Sequence, residues 1–92
     1  MATNQEILER AASTYSTIDQ LSQLQEECAE LIVAIAHFKR DRPHNLVEEL
    51  ADVQVLIDQV FIFWPGYKRE FEDIKRRKLV RLERRMDGDN AT

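Results

Sequence analysis

Between Thr17 and Phe38 the apolar residues Ile18, Leu21, Leu24, Cys28, Leu31, Ile35 and Phe38 recur at steps of three and four, the spacing of a single stripe along an α-helix. Ser16 or Thr17 is placed to cap that helix, with Asp19 and Gln20 in a first turn whose backbone N–H groups lack partners. A shorter helix is expected before it, from about Asn4 to Ser13. The segment Lys39-Arg-Asp-Arg-Pro-His44 is charged and aperiodic, and its proline restricts Arg42 to extended geometry, so the chain should reverse there. Asn45 followed three residues later by Glu48 has the form of a capping box. Leu46, Leu50, Val53, Ile57, Val60 and Phe61 then give a second stripe and predict a helix from Leu46 to about Phe63. Beyond the breaker pair Pro65-Gly66, the residues Tyr67, Phe71, Ile74, Lys78, Leu82 and Arg85 sketch a mostly polar fourth helix reaching Met86, with 87–92 a frayed tail.

No segment alternates with the period of a strand over a useful length, so the expected fold class is all-α: a helical hairpin with two flanking helices. With 92 residues the chain should form one domain over 1–92, residues 1–16 serving as an N-terminal helix or arm. A domain this small removes only ~60% of its unfolded surface from water, which makes self-association a live expectation. Hydrophobic residues at 43%, charged residues at 33%, and only two Gly and two Pro argue against disorder and turn-dense β architecture. The longest apolar runs, Leu31 to Ala36 and Val60 to Trp64, fall far short of the roughly 18 to 20 residues that span a bilayer. The first residues carry neither the basic stretch nor the apolar core of a signal peptide, so the expected address is cytoplasmic. Cys28 stands alone, which excludes an internal disulfide framework and a multi-cysteine zinc site; it is expected as a small core residue.

Net charge is −4, but residues 1 to 67 hold four basic and eleven acidic side chains whereas Lys68 to Arg85 holds nine basic and four acidic. An acidic body with a basic last helix suits the binding of something anionic together with a cation, and suits poorly a nucleic-acid-coating protein. The acids are also grouped. Glu26, Glu27 and Glu30 stand in the second helix, and Glu48, Glu49 and Asp52 in the third, in the same acid-acid-x-x-acid pattern. Positions three apart share a helix face, so Glu27 with Glu30 and Glu49 with Asp52 each form a pair of adjacent oxygen ligands that an antiparallel hairpin can bring face to face. Converging carboxylates require protons or a cation, and hard oxygen ligands in this number select Mg²⁺ or Mn²⁺ over zinc. The same spacing is also what a solvated acidic face shows. A di-iron bundle is disfavoured, because no Glu lies three residues before His37 or His44.

Three strings resemble the MazG-like all-α nucleoside triphosphate pyrophosphohydrolases, in that family's order: Gln23-Leu-Gln-Glu-Glu-Cys-Ala-Glu30, Glu48-Glu-Leu-Ala-Asp-Val-Gln-Val-Leu-Ile-Asp-Gln59 and Lys78-Leu-Val-Arg-Leu-Glu-Arg-Arg85. The 18 residues between Glu30 and Glu49 suit its E-x-x-E then E-x-x-D signature, and the chain looks most like short, phage-like single-domain members. The resemblance implies Mg²⁺-dependent hydrolysis of a nucleoside triphosphate between its α and β phosphates, giving monophosphate and pyrophosphate, with nucleotide-pool house-cleaning as a role. It implies Glu27, Glu30, Glu49 and Asp52 as metal ligands, with Mn²⁺ able to substitute, and Glu26 and Glu48 as outer groups or activators of water. It further implies a homodimer or homotetramer built on a four-helix-bundle core.

Lys78, Arg81 and Arg85, with Lys75 one turn earlier, are spaced along one side of the last helix and are expected to meet substrate phosphates. Trp64, in the aromatic group with Phe61, Phe63 and Tyr67, is the weaker expectation for stacking on a base, since core or subunit packing competes for it. Two alternatives stay open at this level: a non-enzymatic helical interaction module or regulatory adaptor, and nucleic-acid binding through the basic helix, which the acidic body argues against.

Overall fold

A computed structural model describes residues 1–88, and residues 89–92 of the expected tail lie outside the described residues. Four helices follow one another: α1 (Asn4–Thr14), α2 (Thr17–Lys39), α3 (Leu46–Phe63) and α4 (Pro65–Met86), with no strand among the described residues. The fold is all-α, as the periodicity predicts.

Each helix begins for a reason visible in its first residues. Thr3 caps α1 through a reciprocal capping box with Glu6, and Ser16 caps α2 by accepting from the Asp19 N–H at 3.1 Å. Pro65 and Gly66, expected to separate two helices, are instead the first residues of α4. A proline at the first helical position gives up an N–H that would have no partner there, so the breaker also starts a helix. Only Trp64 lies between α3 and α4.

The reversal after α2 is a Schellman turn: the Asp41 N–H bonds the Phe38 carbonyl at 3.2 Å and the Arg42 N–H bonds the His37 carbonyl at 2.9 Å. Asp41 takes the left-handed conformation (φ 55°) that glycine usually supplies at that position. Just past α4, whose C-cap is Asp87, Gly88 adopts φ 79° and its N–H reaches the Arg85 carbonyl at 3.3 Å.

α2 and α3 pack along each other as the main hairpin, α1 lies against α3, and α4 touches α3 near their junction. Gln59 is buried and donates from Nε2 to the Leu8 carbonyl at 2.9 Å, which ties α1 to α3. Phe61 rests on Phe71 with ring centroids 4.8 Å apart, and Lys68 Nζ lies 5.1 Å from the Phe61 centroid. The single chain stays open: its radius of gyration is 16.6 Å, against about 12 Å for a compact chain of this length. Ala34 is the one buried apolar residue among those described.

The inward face of α2 differs from the predicted stripe. Glu27 and Ala34 turn toward α3, while Cys28, Ile35 and Phe38 are exposed. Likewise Glu49 and Gln59 are buried on α3 while Val47, Leu50 and Val55 are exposed. Both helices thus leave apolar residues on a side turned away from the other helix. Cys28 is therefore not a core residue of this chain.

Candidate functional site

The inward rotation of α2 and α3 brings acids together. Carboxylate oxygens of Glu27, Glu30 and Glu49 lie within 4.8 Å of one another. Glu49 is the most enclosed, at 5% exposure, Glu27 is half-buried, and Glu30 is exposed at the rim. Asn45, the first residue before α3, makes no side-chain cap; its Nδ2 instead donates to Glu49 Oε1 at 2.7 Å. The cap is supplied by His44, whose Nδ1 accepts from the Leu46 N–H at 3.2 Å while its ring packs edge-on against Phe38 at 5.0 Å. On α2, Gln23 Nε2 donates to Glu27 Oε1 at 3.1 Å.

Those amides leave the second oxygens alone. Glu27 Oε2 and Glu49 Oε2 are buried and have no hydrogen-bond partner. A buried carboxylate oxygen without a partner is costly, and proteins relieve it with a proton or a cation. The protein itself favours the proton: the Glu49 carboxyl is pushed up to about 6, first by burial, then by the adjoining carboxylate of Glu27 and the charges of Glu30 and Glu27, with the Asn45 hydrogen bond opposing. Glu30 is raised mainly by the charge of Glu27, with Asp52 adding to it. Three hard oxygen donors, two of them with an idle buried lone pair, fit a divalent cation of the Mg²⁺ or Mn²⁺ kind. A cavity of about 280 Å³ opens beside them, lined by Glu30, Val33, Ala34, His37, Asn45 and Glu49.

The remaining expected site residues stand apart. Asp52 is exposed and outside the three-carboxylate cluster, though near enough to raise Glu30. Glu26 and Glu48 are exposed and also outside it. Lys75 and Lys78 flank an apolar groove on α4 with Phe71, Ile74, Leu79 and Leu82, whereas Arg81 lines a different groove with Arg76, Arg77, Val80 and Arg84. Arg85 is exposed near the end of α4, and no basic side chain is among the groups that shift Glu30 or Glu49. Among the described residues the one ion pair is Lys68 with Glu72, at 3.6 Å. Trp64 sits at the opposite end of α3 from Glu49, roughly 22 Å along the axis at 1.5 Å per residue. It is half-buried and neighbours Phe63 and Tyr67.

Sequence spacing marked Asn45 as a helix cap and gave neither Asn45 nor Gln23 a role at the carboxylates. Each stands four residues before a cluster glutamate, which is the reach of an amide on a helix face, and that offset is the signal that could have found them.

The fold is an all-α hairpin whose two long helices bring the carboxylates of Glu27, Glu30 and Glu49 together. The MazG nucleotide pyrophosphohydrolase domain matches residues 16–86, and the chain belongs to that family. The match begins at the cap of α2 and ends at the last residue of α4, so it contains the acid cluster and the basic helix. No curated protein and no solved structure matches the chain. Family membership makes it a domain of the nucleotide-hydrolysing kind, in a family generally dependent on divalent metals. No helix among the described residues is long and apolar enough to cross a membrane.

Proposed function

We propose that this protein hydrolyses a nucleoside triphosphate between the α and β phosphates, releasing a monophosphate and pyrophosphate, with Mg²⁺ held by Glu27, Glu30, Glu49 and Asp52. The observation that carries this is the pair of buried, unpartnered carboxylate oxygens on Glu27 and Glu49, set beside Glu30 within 4.8 Å. When bound, a divalent ion neutralises anionic phosphate oxygens and polarises the phosphorus under attack. The remaining work falls to the chain's own groups. Glu27 and Glu49 bind from the enclosed side, Glu30 and Asp52 from the rim. Glu26 and Glu48 lie one residue, about 100°, around each helix from a ligand, and we assign them to accepting a proton from water at the edge of the cluster.

The basic residues Lys75, Lys78, Arg81 and Arg85 lie on a helix that leaves the body of its own chain. They serve the triphosphate in an assembly of two or four copies, where the positive α4 of one copy meets the acidic body of another. The exposed apolar groove around Phe71, Leu79 and Leu82 supports that assembly, since a lone soluble chain rarely leaves such a surface uncovered. Cytoplasmic nucleotide-pool clearance is the role that fits such an activity.

The test is a panel of canonical and modified nucleotides with Mg²⁺ and with Mn²⁺, with monophosphate and pyrophosphate measured together. Equal release of both products supports the reaction, and orthophosphate release in place of pyrophosphate contradicts it. Glu49→Ala should lower turnover by more than the roughly 10- to 100-fold typical of disturbing only a metal's outer contacts; full turnover in that variant removes the assigned site.

A further inference from the structure

Two amides approach the carboxylate cluster in the same way, one from each helix. Gln23 Nε2 takes Oε1 of Glu27 at 3.1 Å, and Asn45 Nδ2 takes Oε1 of Glu49 at 2.7 Å. In both glutamates the oxygen left over, Oε2, is buried and without a partner. A carboxylate with neither oxygen fixed rotates about its last torsion and points its lone pairs over a wide arc. One fixed oxygen removes that freedom and fixes where the other points. A neutral amide does so without supplying a charge that would compete with a cation, as a lysine or arginine would.

We infer that Asn45 and Gln23 are positioning residues for the proposed metal site, each holding one oxygen of a ligand so that the other faces the ion. This rests on the metal reading given above. The stronger half of the pair is Asn45, because it forgoes an alternative. It occupies the cap position of α3, where an asparagine side chain ordinarily accepts from the helix's own N–H groups, yet it makes no such bond and the cap passes to His44. The side chain is committed to Glu49.

The same four-residue offset occurs away from the cluster, where Gln5 donates to Glu9 at 3.1 Å and Gln54 to Asp58 at 2.9 Å. Those bonds are exposed, as is the Gln23–Glu27 bond itself, but unlike Glu27 and Glu49 their acids have no buried orphan oxygen. They are ordinary helix-surface contacts and provide an internal control: Gln54→Ala removes the same kind of pair from α3 without touching the cluster.

The deciding comparison is Asn45→Ala, Asn45→Ser, Gln23→Ala and Gln54→Ala against the unaltered protein, in two readouts. The first is Mn²⁺ affinity in the absence of nucleotide, from the paramagnetic resonance signal of free Mn²⁺. The second is kcat and KM for pyrophosphate release. Serine suits the position before a helix but is too short to reach Glu49 from it, so Asn45→Ser deletes the contact with the carboxylate while leaving a residue the helix start tolerates. Both Asn45 variants should weaken Mn²⁺ binding by about 10- to 100-fold, Gln23→Ala should move it in the same direction, and Gln54→Ala should leave it unchanged. Asn45→Ser binding Mn²⁺ as tightly as the unaltered protein would overturn the inference while leaving the metal site standing. Failure of the unaltered protein to bind Mn²⁺ would instead remove the site itself, and the inference with it.

Discussion

Glu49 sits in the first turn of α3 with 5% of its surface exposed and one oxygen unpartnered, and its protonation sets how the cluster responds to pH. Its native carboxyl titrates near 6, above the ordinary value of 4.5 that applies in the unfolded chain. Between those values the native state binds more protons than the unfolded state, so stability falls as pH rises through this window and levels off above it. Thermal unfolding of the metal-free protein should therefore shift to lower temperature from pH 4.5 to about 6, and Glu49→Gln should flatten that slope. A cation competes for the same oxygens, so Mn²⁺ binding should tighten as pH rises through the same interval; binding independent of pH there would contradict Glu49 as a ligand. The paired acids were legible as a motif because three-residue spacing on a helix needs no tertiary information. The difference between Glu49, drawn inward, and Asp52, left at the rim, was not legible, because it depends on how α3 is rotated against α2.

At the scale of elements, the hairpin turn carries a cost that can be removed. Asp41 holds φ 55° in the Schellman turn after α2, a conformation that costs a residue with a side chain roughly 1–2 kcal/mol. Asp41→Gly should raise stability by about 1 kcal/mol in a denaturant titration, with no loss of activity, since Asp41 is exposed and outside the cluster. The junction of α1 with α3 should respond the other way. Gln59→Leu deletes the bond to the Leu8 carbonyl and should cost about 1 kcal/mol, seen as faster hydrogen exchange across residues 4–14. Helix positions were readable from periodicity and caps to within a residue or two. The dual use of Pro65-Gly66 was missed because a proline that forbids a helix interior also suits a first turn.

For the whole molecule, burial is the informative quantity. A chain with a radius of gyration of 16.6 Å and with Ile32, Val33, Leu50, Val55, Leu79 and Leu82 exposed has apolar surface left for another body. Sedimentation should give a mass that is a multiple of 10.8 kDa, and the unfolding temperature should rise with protein concentration, as it does when association stabilises the fold. Leu82→Asp, placed in the apolar groove of α4, should lower the mass toward one chain and reduce turnover together. An unaltered protein that sediments as a monomer at working concentration, yet turns over nucleotide, would contradict the proposed role of α4 from a neighbouring copy. The separation of charge, acidic to residue 67 and basic through Lys68 to Arg85, was plain from the residues alone.

Local chemistry in the sequence determined four helices, the Ser16 cap of α2, the doubled acid motif and the resemblance to the family, because each of these is settled within a few residues along the chain. Only the tertiary structure decided which side of each helix faces its neighbour. It turned Glu27 and Glu49 inward ahead of Cys28 and Leu50, and gave Asn45 to Glu49 instead of to the helix start. The physical reason is that α2 and α3 each carry two apolar sides. Periodicity picks out one stripe, and only packing of one helix on another decides which residues beside it turn inward.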